Sequence, residues 1–182
     1  FKRNQLSLLD FIQEIDNFSE RNIGLIVEKI RQSRLKLKEI DFWLRYLEPV
    51  AYKKINGPLP VEWETEVFEK WEAPYKREGF GLTLAELYLE EKEINKDSLI
   101  NFIQPTLLAT DVFLHDSISR NLNTHHHFFL ANRLFLLNLA AIYTTGSECP
   151  DPENVIPELL HLLTSVRDLY ETFEYNFPSY KI

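Results

Sequence analysis

Methionine is absent from all 182 residues, and cysteine occurs once, at Cys149. A lone cysteine excludes an internal disulfide, a cysteine-rich zinc site and any Cys-x-x-Cys-His haem attachment, while leaving the redox compartment open. Glycine is scarce at five residues, and none forms a glycine-rich turn before a helix, which removes a phosphate loop. No Gly-x-Ser-x-Gly elbow occurs. Cys149 sits beside Pro150 rather than at a helix N-terminus that would lower its thiol pKa, so nucleophilic catalysis has no support. No uncharged apolar run reaches the roughly 18 residues of a membrane span. Positive charge is short too: 20 Lys and Arg against 28 Asp and Glu give a net charge of −8, which disfavours a nucleic-acid backbone as partner. The acidic surplus reads first as solubility, with a cation or a basic protein as the alternative.

What is present is helical. At 45% apolar content the chain is long enough for one sizeable domain, 1–182, and short for two. Because it begins at Phe1 with no methionine anywhere, the expectation is a processed or truncated piece from which any signal peptide has gone. Ile23, Ile26, Ile30, Ser33, Leu37, Ile40, Leu44 and Leu47 alternate steps of three and four, which predicts one long helix seam ended or bent by Pro49. Glu28, Lys29, Arg31, Lys36, Lys38 and Glu39 fall off that seam and are expected on its solvated side. A second seam, Val155, Leu159, Leu162, Val166, Leu169 and Phe173, marks the last helix, with Pro157 in its first turn.

Two more helices are predicted over Lys96 to Leu122 and Thr124 to Thr145. The latter is apolar on almost every side and therefore expected at the centre of the fold, with Gly146 as its cap. Leu6 to Phe18 forms a shorter amphipathic piece. No strand-like alternation competes, so the fold class is all-α: an antiparallel up-and-down bundle of long helices with one long loop containing proline and tryptophan. That loop, about 56–79, opens with Asn56-Gly57-Pro58-Leu59-Pro60 and carries Trp63, Phe68, Trp71, Pro74 and Tyr75. It is long for a bundle connection, and its aromatics are expected to cover one end of the bundle, with a ligand or partner surface as the alternative.

The segment Glu78 to Leu89 carries the most pointed chemistry, because Gly81 opens an amphipathic helix whose apolar face holds Glu86. A carboxylate there is either at the rim, with its head in water or on a lysine, or inside the bundle as a hydrogen-bond acceptor or metal ligand. Thr83, one turn earlier, offers a hydroxyl, a poor transition-metal ligand beside imidazole. The triplet His125-His126-His127 cannot close round one ion, since neighbours on a helix lie about 100° apart; it reads as a solvated first turn capped by Asn123-Thr124. Asp111 with His115, and Glu158 with His161, have metal-ligand spacing on paper. The second pair matches a di-iron Glu-x-x-His element, of which a bundle needs two copies plus two further glutamates. Local hydrogen bonds on the helix surface are the expectation for both pairs.

Gly81-x-Thr83-x-x-Glu86 resembles the Gly-x-His-x-x-Glu signature of imelysin-like helical proteins, with threonine in the histidine place. The run Lys38 to Pro49, followed by Lys54-Ile55-Asn56-Gly57-Pro58-Leu59-Pro60, Glu78 to Leu89 and Arg133 to Gly146, is similar to the helical region preceding the dihaem module in bacterial cytochrome c peroxidase-like proteins. The similarity extends from about Leu6 to Tyr175. It implies a non-catalytic accessory or binding domain, exported to the periplasm or cell envelope. Its partner would be a protein module, such as a haem-containing domain of the same parent chain, and haem and peroxide reduction would belong to that separate module. The imelysin branch implies instead an iron-binding protein with Glu86 as ligand and His115 or His161 as partners, which Thr83 weakens.

Overall fold

The computed structural model describes residues 1–57, 80–120, 125–146 and 148–176. All regular structure among them is helical: α1 (Lys2–Glu14), α2 (Glu20–Lys38), α3 (Asp41–Leu47), α4 (Pro49–Asn56), α5 (Leu82–Tyr88), α6 (Lys96–Val112), the single turn α7 (Asp116–Ser119), α8 (His125–Asn138) and α9 (Val155–Asn176). The expected all-α bundle is what the chain forms. Trp63, Phe68, Trp71, Pro74, Tyr75, Glu78 and the cap Asn123-Thr124 lie outside the described residues.

Local signals start and stop these helices. Ser19 caps α2 by accepting from the Asn22 N–H at 3.3 Å, and Asn95 caps α6 through Ser98 N–H at 3.1 Å, each satisfying one of the free N–H groups of a first turn. Pro49 both ends α3 and begins α4, where its missing N–H is needed by no one. Gly146, at φ 67°, closes the stretch after α8, and a β-carbon there would meet Val155 at 2.7 Å.

The chain packs round three apolar clusters. One joins α1, the first half of α2, α5 and α6 through Leu8, Ile12, Ile26, Ile30, Leu82 and Ile103. Another joins α3, α8 and α9 through Phe42, Phe128, Phe135, Leu162 and Val166. A small third cluster of Leu37, Leu44, Tyr52, Ile55 and Ala109 lies on α2, α3, α4 and α6. α1 and α6 run antiparallel: Lys96 reaches the Gln13 and Ile15 carbonyls, Gln5 meets Thr106 and Thr110, and Lys2 pairs with Asp111.

Four sequence expectations need correction. The long seam breaks at Glu39-Ile40, where Ile40 takes φ −118°, ψ 0°. The Glu39 carbonyl freed there accepts from Ser165 Oγ at 2.6 Å, and Ile40 is left exposed. Lys38, assigned to the solvated side, is buried. The helix expected from Lys96 to Leu122 ends at Val112, because the N–H groups of Phe113, Leu114 and His115 tighten onto carbonyls three residues back and His115 turns extended.

The largest correction concerns α8. It does not lie at the centre: Phe128, Ala131 and Phe135 face inward, whereas Phe129, Leu130, Leu136 and Leu137 are exposed by 60%, 40%, 54% and 63%. Its continuation, Leu139–Tyr143, widens into a π-turn that sends Ile142 and Tyr143 back to the core.

Candidate functional site

The most polar place in the interior lies where α2, α3, α4, α5 and α9 converge. Arg34, Lys38, Asp41 and Arg45 follow one another at steps of four, three and four, so that α2 and α3 present a stripe of charge inward. The break at Glu39-Ile40 places Asp41 and Arg45 within this stripe. From the far side come Thr83 and Glu86 on α5, Glu148 in the link after the π-turn, and Glu158 on α9, all buried.

Arg34 organises the group, with 1% of its side chain exposed. Nε and Nη2 donate to the two oxygens of Glu158 at 2.6 and 3.1 Å. Nη2 also donates to the Glu148 carbonyl at 2.9 Å, and Nη1 to Thr83 Oγ1 at 2.7 Å and Asn56 Oδ1 at 3.3 Å. These bonds occupy all five N–H donors of the guanidinium. Glu148 is the second hub. It accepts from Lys38 Nζ at one oxygen, and from Arg45 Nη2 at 2.7 Å and Asn56 Nδ2 at 3.2 Å at the other. Tyr143 donates its hydroxyl to Asp41, and Arg45 lies over the ring faces of Tyr52 and Tyr143 at 4.5 and 5.1 Å.

Three cations, Arg34, Lys38 and Arg45, therefore meet three anions, Asp41, Glu148 and Glu158. Burial pushes the Glu148 carboxyl up, but Lys38 and then Arg45 outweigh it and hold the group down at about 2. Burial raises the Tyr52 and Tyr143 hydroxyls well above their ordinary range, reinforced by Asp41, so both remain phenols. The Cys149 thiol is pushed up to about 12 by burial and by Glu158, which makes it inert as a nucleophile. The cavity lined by Lys38, Tyr143, Glu148, Cys149, Glu158 and Leu162 holds about 10 Å³, room for one water at most.

The signature residues lie at the edge of this network. Gly81 adopts φ 129°, donates its N–H to the Phe102 carbonyl at 3.0 Å, and would place a β-carbon 2.5 Å from the Gly57 nitrogen, so the close approach of two backbones requires glycine. It opens α5 with Thr83 and Glu86 turned inward. Thr83 accepts from Arg34. Glu86 is inside, not at the rim, and its partner is an arginine: Arg31 Nε approaches Oε1 at 3.5 Å while its Nη2 holds Asp151 at 2.5 Å. Burial raises the Glu86 carboxyl above its ordinary value, against the opposing pull of Arg34 and Arg31.

The remaining candidates are scattered. Asp111 pairs with Lys2, and His115 is exposed ahead of α7. Glu158, expected to bond locally with His161, is instead turned into the network on Arg34, while His161 faces Glu39 at 3.2 Å. Neither histidine is brought to Glu86. Among the described residues, no set of three or more His, Cys, Asp or Glu side chains gathers as a metal site would require. His125 and His126 are exposed as expected, but His127 is half-buried and shares a hydrogen bond with the Tyr46 hydroxyl at 2.7 Å.

Sequence reasoning missed Arg34, Lys38, Asp41, Arg45, Tyr52, Tyr143 and Glu148. The signal for the first four was the same three-four alternation used for the apolar seam, read on charges. No protein-family model matches this chain, and neither a curated protein nor a solved structure does.

Proposed function

We propose that this chain is a non-catalytic helical accessory domain that docks onto a neighbouring protein module through the outer face of α8. The observation that carries this reading is the exposure of Phe129, Leu130, Leu136 and Leu137 along one side of a helix whose other side is packed. Scattered apolar residues on a surface need no explanation, but four large ones grouped on a single helix face mark an interaction site.

The buried charges support the same reading from the opposite direction. Catalytic groups are poised by incomplete satisfaction and stand beside a space for substrate. Here Arg34 and Glu148 spend their bonding capacity on one another's neighbours, and the adjoining cavity has water-sized room. Their work is to fix how α2, α3, α5 and α9 fit together. The iron-binding reading lacks comparable support, because Thr83 and Glu86 already face the guanidinium groups of Arg34 and Arg31.

The similarity to the region preceding a dihaem module makes a haem-containing module of the same parent chain the first partner to test, and the cell envelope the expected location. Isothermal titration of this chain into a purified dihaem c-type module should give binding tighter than about 100 μM, the range of a weak but specific domain contact. An absence of heat at that concentration, confirmed by unchanged sedimentation of the mixture, removes the proposal.

A further inference from the structure

The outer face of α8 has an unusual charge composition. Between Asp116 and Glu148 the sequence holds no acidic residue, in a chain with 28 of them. In the middle of this stretch stands Arg133, exposed. Phe129, Leu130, Leu136 and Leu137 are its neighbours at i−4, i−3, i+3 and i+4, the four positions that surround a residue on a helix surface. No carboxylate among the described residues pairs with Arg133, whereas Arg31, Arg34, Arg45 and Arg167 each hold one.

An arginine encircled by large exposed apolar side chains is the arrangement of an interface anchor: the ring excludes water when a partner seats, and the guanidinium fork then meets its counter-ion in a medium of low polarity. Resting on the docking reading above, we infer that Arg133 is the specificity anchor of the α8 face, and that the partner protein presents a carboxylate set in an apolar surface.

Charge decides between this occupant and two others. A second copy seated symmetrically, α8 on α8, would bring two Arg133 side chains together with no acid on either helix to separate them. An anionic bilayer surface calls for several basic residues and would meet a molecule of net charge −8. A single planar fork matches a single carboxylate.

The test titrates the 182-residue chain into the purified dihaem c-type module at low and high salt, with Arg133→Glu, Arg133→Lys and Leu137→Ser alongside. Far-ultraviolet circular dichroism melts establish that each variant is folded, as expected for exposed positions. The expected result is a loss of about 30-fold or more for Arg133→Glu, in the hot-spot range. A smaller loss is expected for Arg133→Lys, which keeps charge but not the fork, and a salt-weakened affinity for the wild type. If the wild type binds and Arg133→Glu binds within about twofold of it, the anchor is overturned while docking stands. If the wild type does not bind the module, the docking reading itself fails and the anchor with it. Self-association in sedimentation velocity, or binding to phosphatidylcholine–phosphatidylglycerol vesicles, that is abolished by Leu137→Ser would assign the face to one of the rejected occupants and overturn the inference.

Discussion

The seam between α2 and α9 and the outer face of α8 are inversions of one another. At the seam, six formally charged side chains lie out of water and are held by partners drawn from segments far apart in sequence; on α8, large apolar side chains lie in water with nothing over them. Burial alone would not choose either arrangement, since charge loses hydration inside and hydrocarbon gains by leaving water. At the seam each charge is paired with an opposite one, with Asp41 Oδ1 and Arg45 Nε left without a hydrogen bond and facing one another at 3.9 Å. A pattern of paired buried charges favours the placement of the helices that keeps the pairs together. Apolar contacts are less exacting. The comparison separates two tasks within one small fold, with the ionic interior defining the shape and the uncovered hydrocarbon left to act outward.

The sharpest way to break that contrast is to remove its hub. Arg34→Leu leaves Glu158 charged and buried with Lys38 only at 3.8 Å, and strips donors from Thr83 and the Glu148 carbonyl; a loss of about 3–5 kcal/mol is expected in urea unfolding. A loss under about 1 kcal/mol would mean that the seam contributes little to stability. Glu148→Gln keeps the shape and removes the charge, with an expected cost of about 2 kcal/mol at neutral pH. The pH dependence carries its own signature. With its carboxyl held at about 2 in the fold against an ordinary 4.5, Glu148 stabilises fully above pH 4.5 and loses that contribution as pH falls through about 2. The gap between wild type and Glu148→Gln should therefore narrow over that window in acid unfolding.

Glu86 should behave in the opposite sense. Its carboxyl is raised by burial, so its ionisation opposes folding, and the penalty grows as pH rises through the folded value. Glu86→Gln is expected to leave the melting temperature at pH 8 unchanged or higher; a marked fall would show that the 3.5 Å contact with Arg31 matters more than its length implies. Smallest of all is the effect of Leu136→Ser on the outer face, expected within about 0.5 kcal/mol of wild type by urea unfolding. A cost comparable to that of a core leucine would mean that the face is covered within the chain.

Periodicity made α9, the Pro49 boundary and the Gly146 cap legible; it also gave the type of α1 but not its bounds, since the helix runs Lys2–Glu14 and turns extended at Ile15 instead of spanning Leu6 to Phe18. It failed at Glu39-Ile40, where the apolar spacing runs on unbroken although the helix does not; what redirects the chain is a tertiary gain, Asp41 and Arg45 reaching Tyr143 and Glu148. Lys38 was misplaced because charge was assumed to face water. Glu148 had no sequence signal of any kind, since it sits in a link and owes its role to what surrounds it. α8 shows the limit of reading hydrophobicity as burial: an all-apolar helix lies inside only if the rest of the chain is large enough to cover it, and here one side remains open. The helix position of Glu86 left rim and interior both open, and the arginine that accompanies its burial comes from α2, 55 residues away.

Gly57 and Gly81 stand back to back, so closely that no side chain fits between them. A β-carbon at Gly81 would strike the Gly57 nitrogen at 2.5 Å, so α4 and α5 are fastened to one another there by backbone alone. The pair acts as a rivet: no other residue enters the joint at Gly81 without moving one helix against the other.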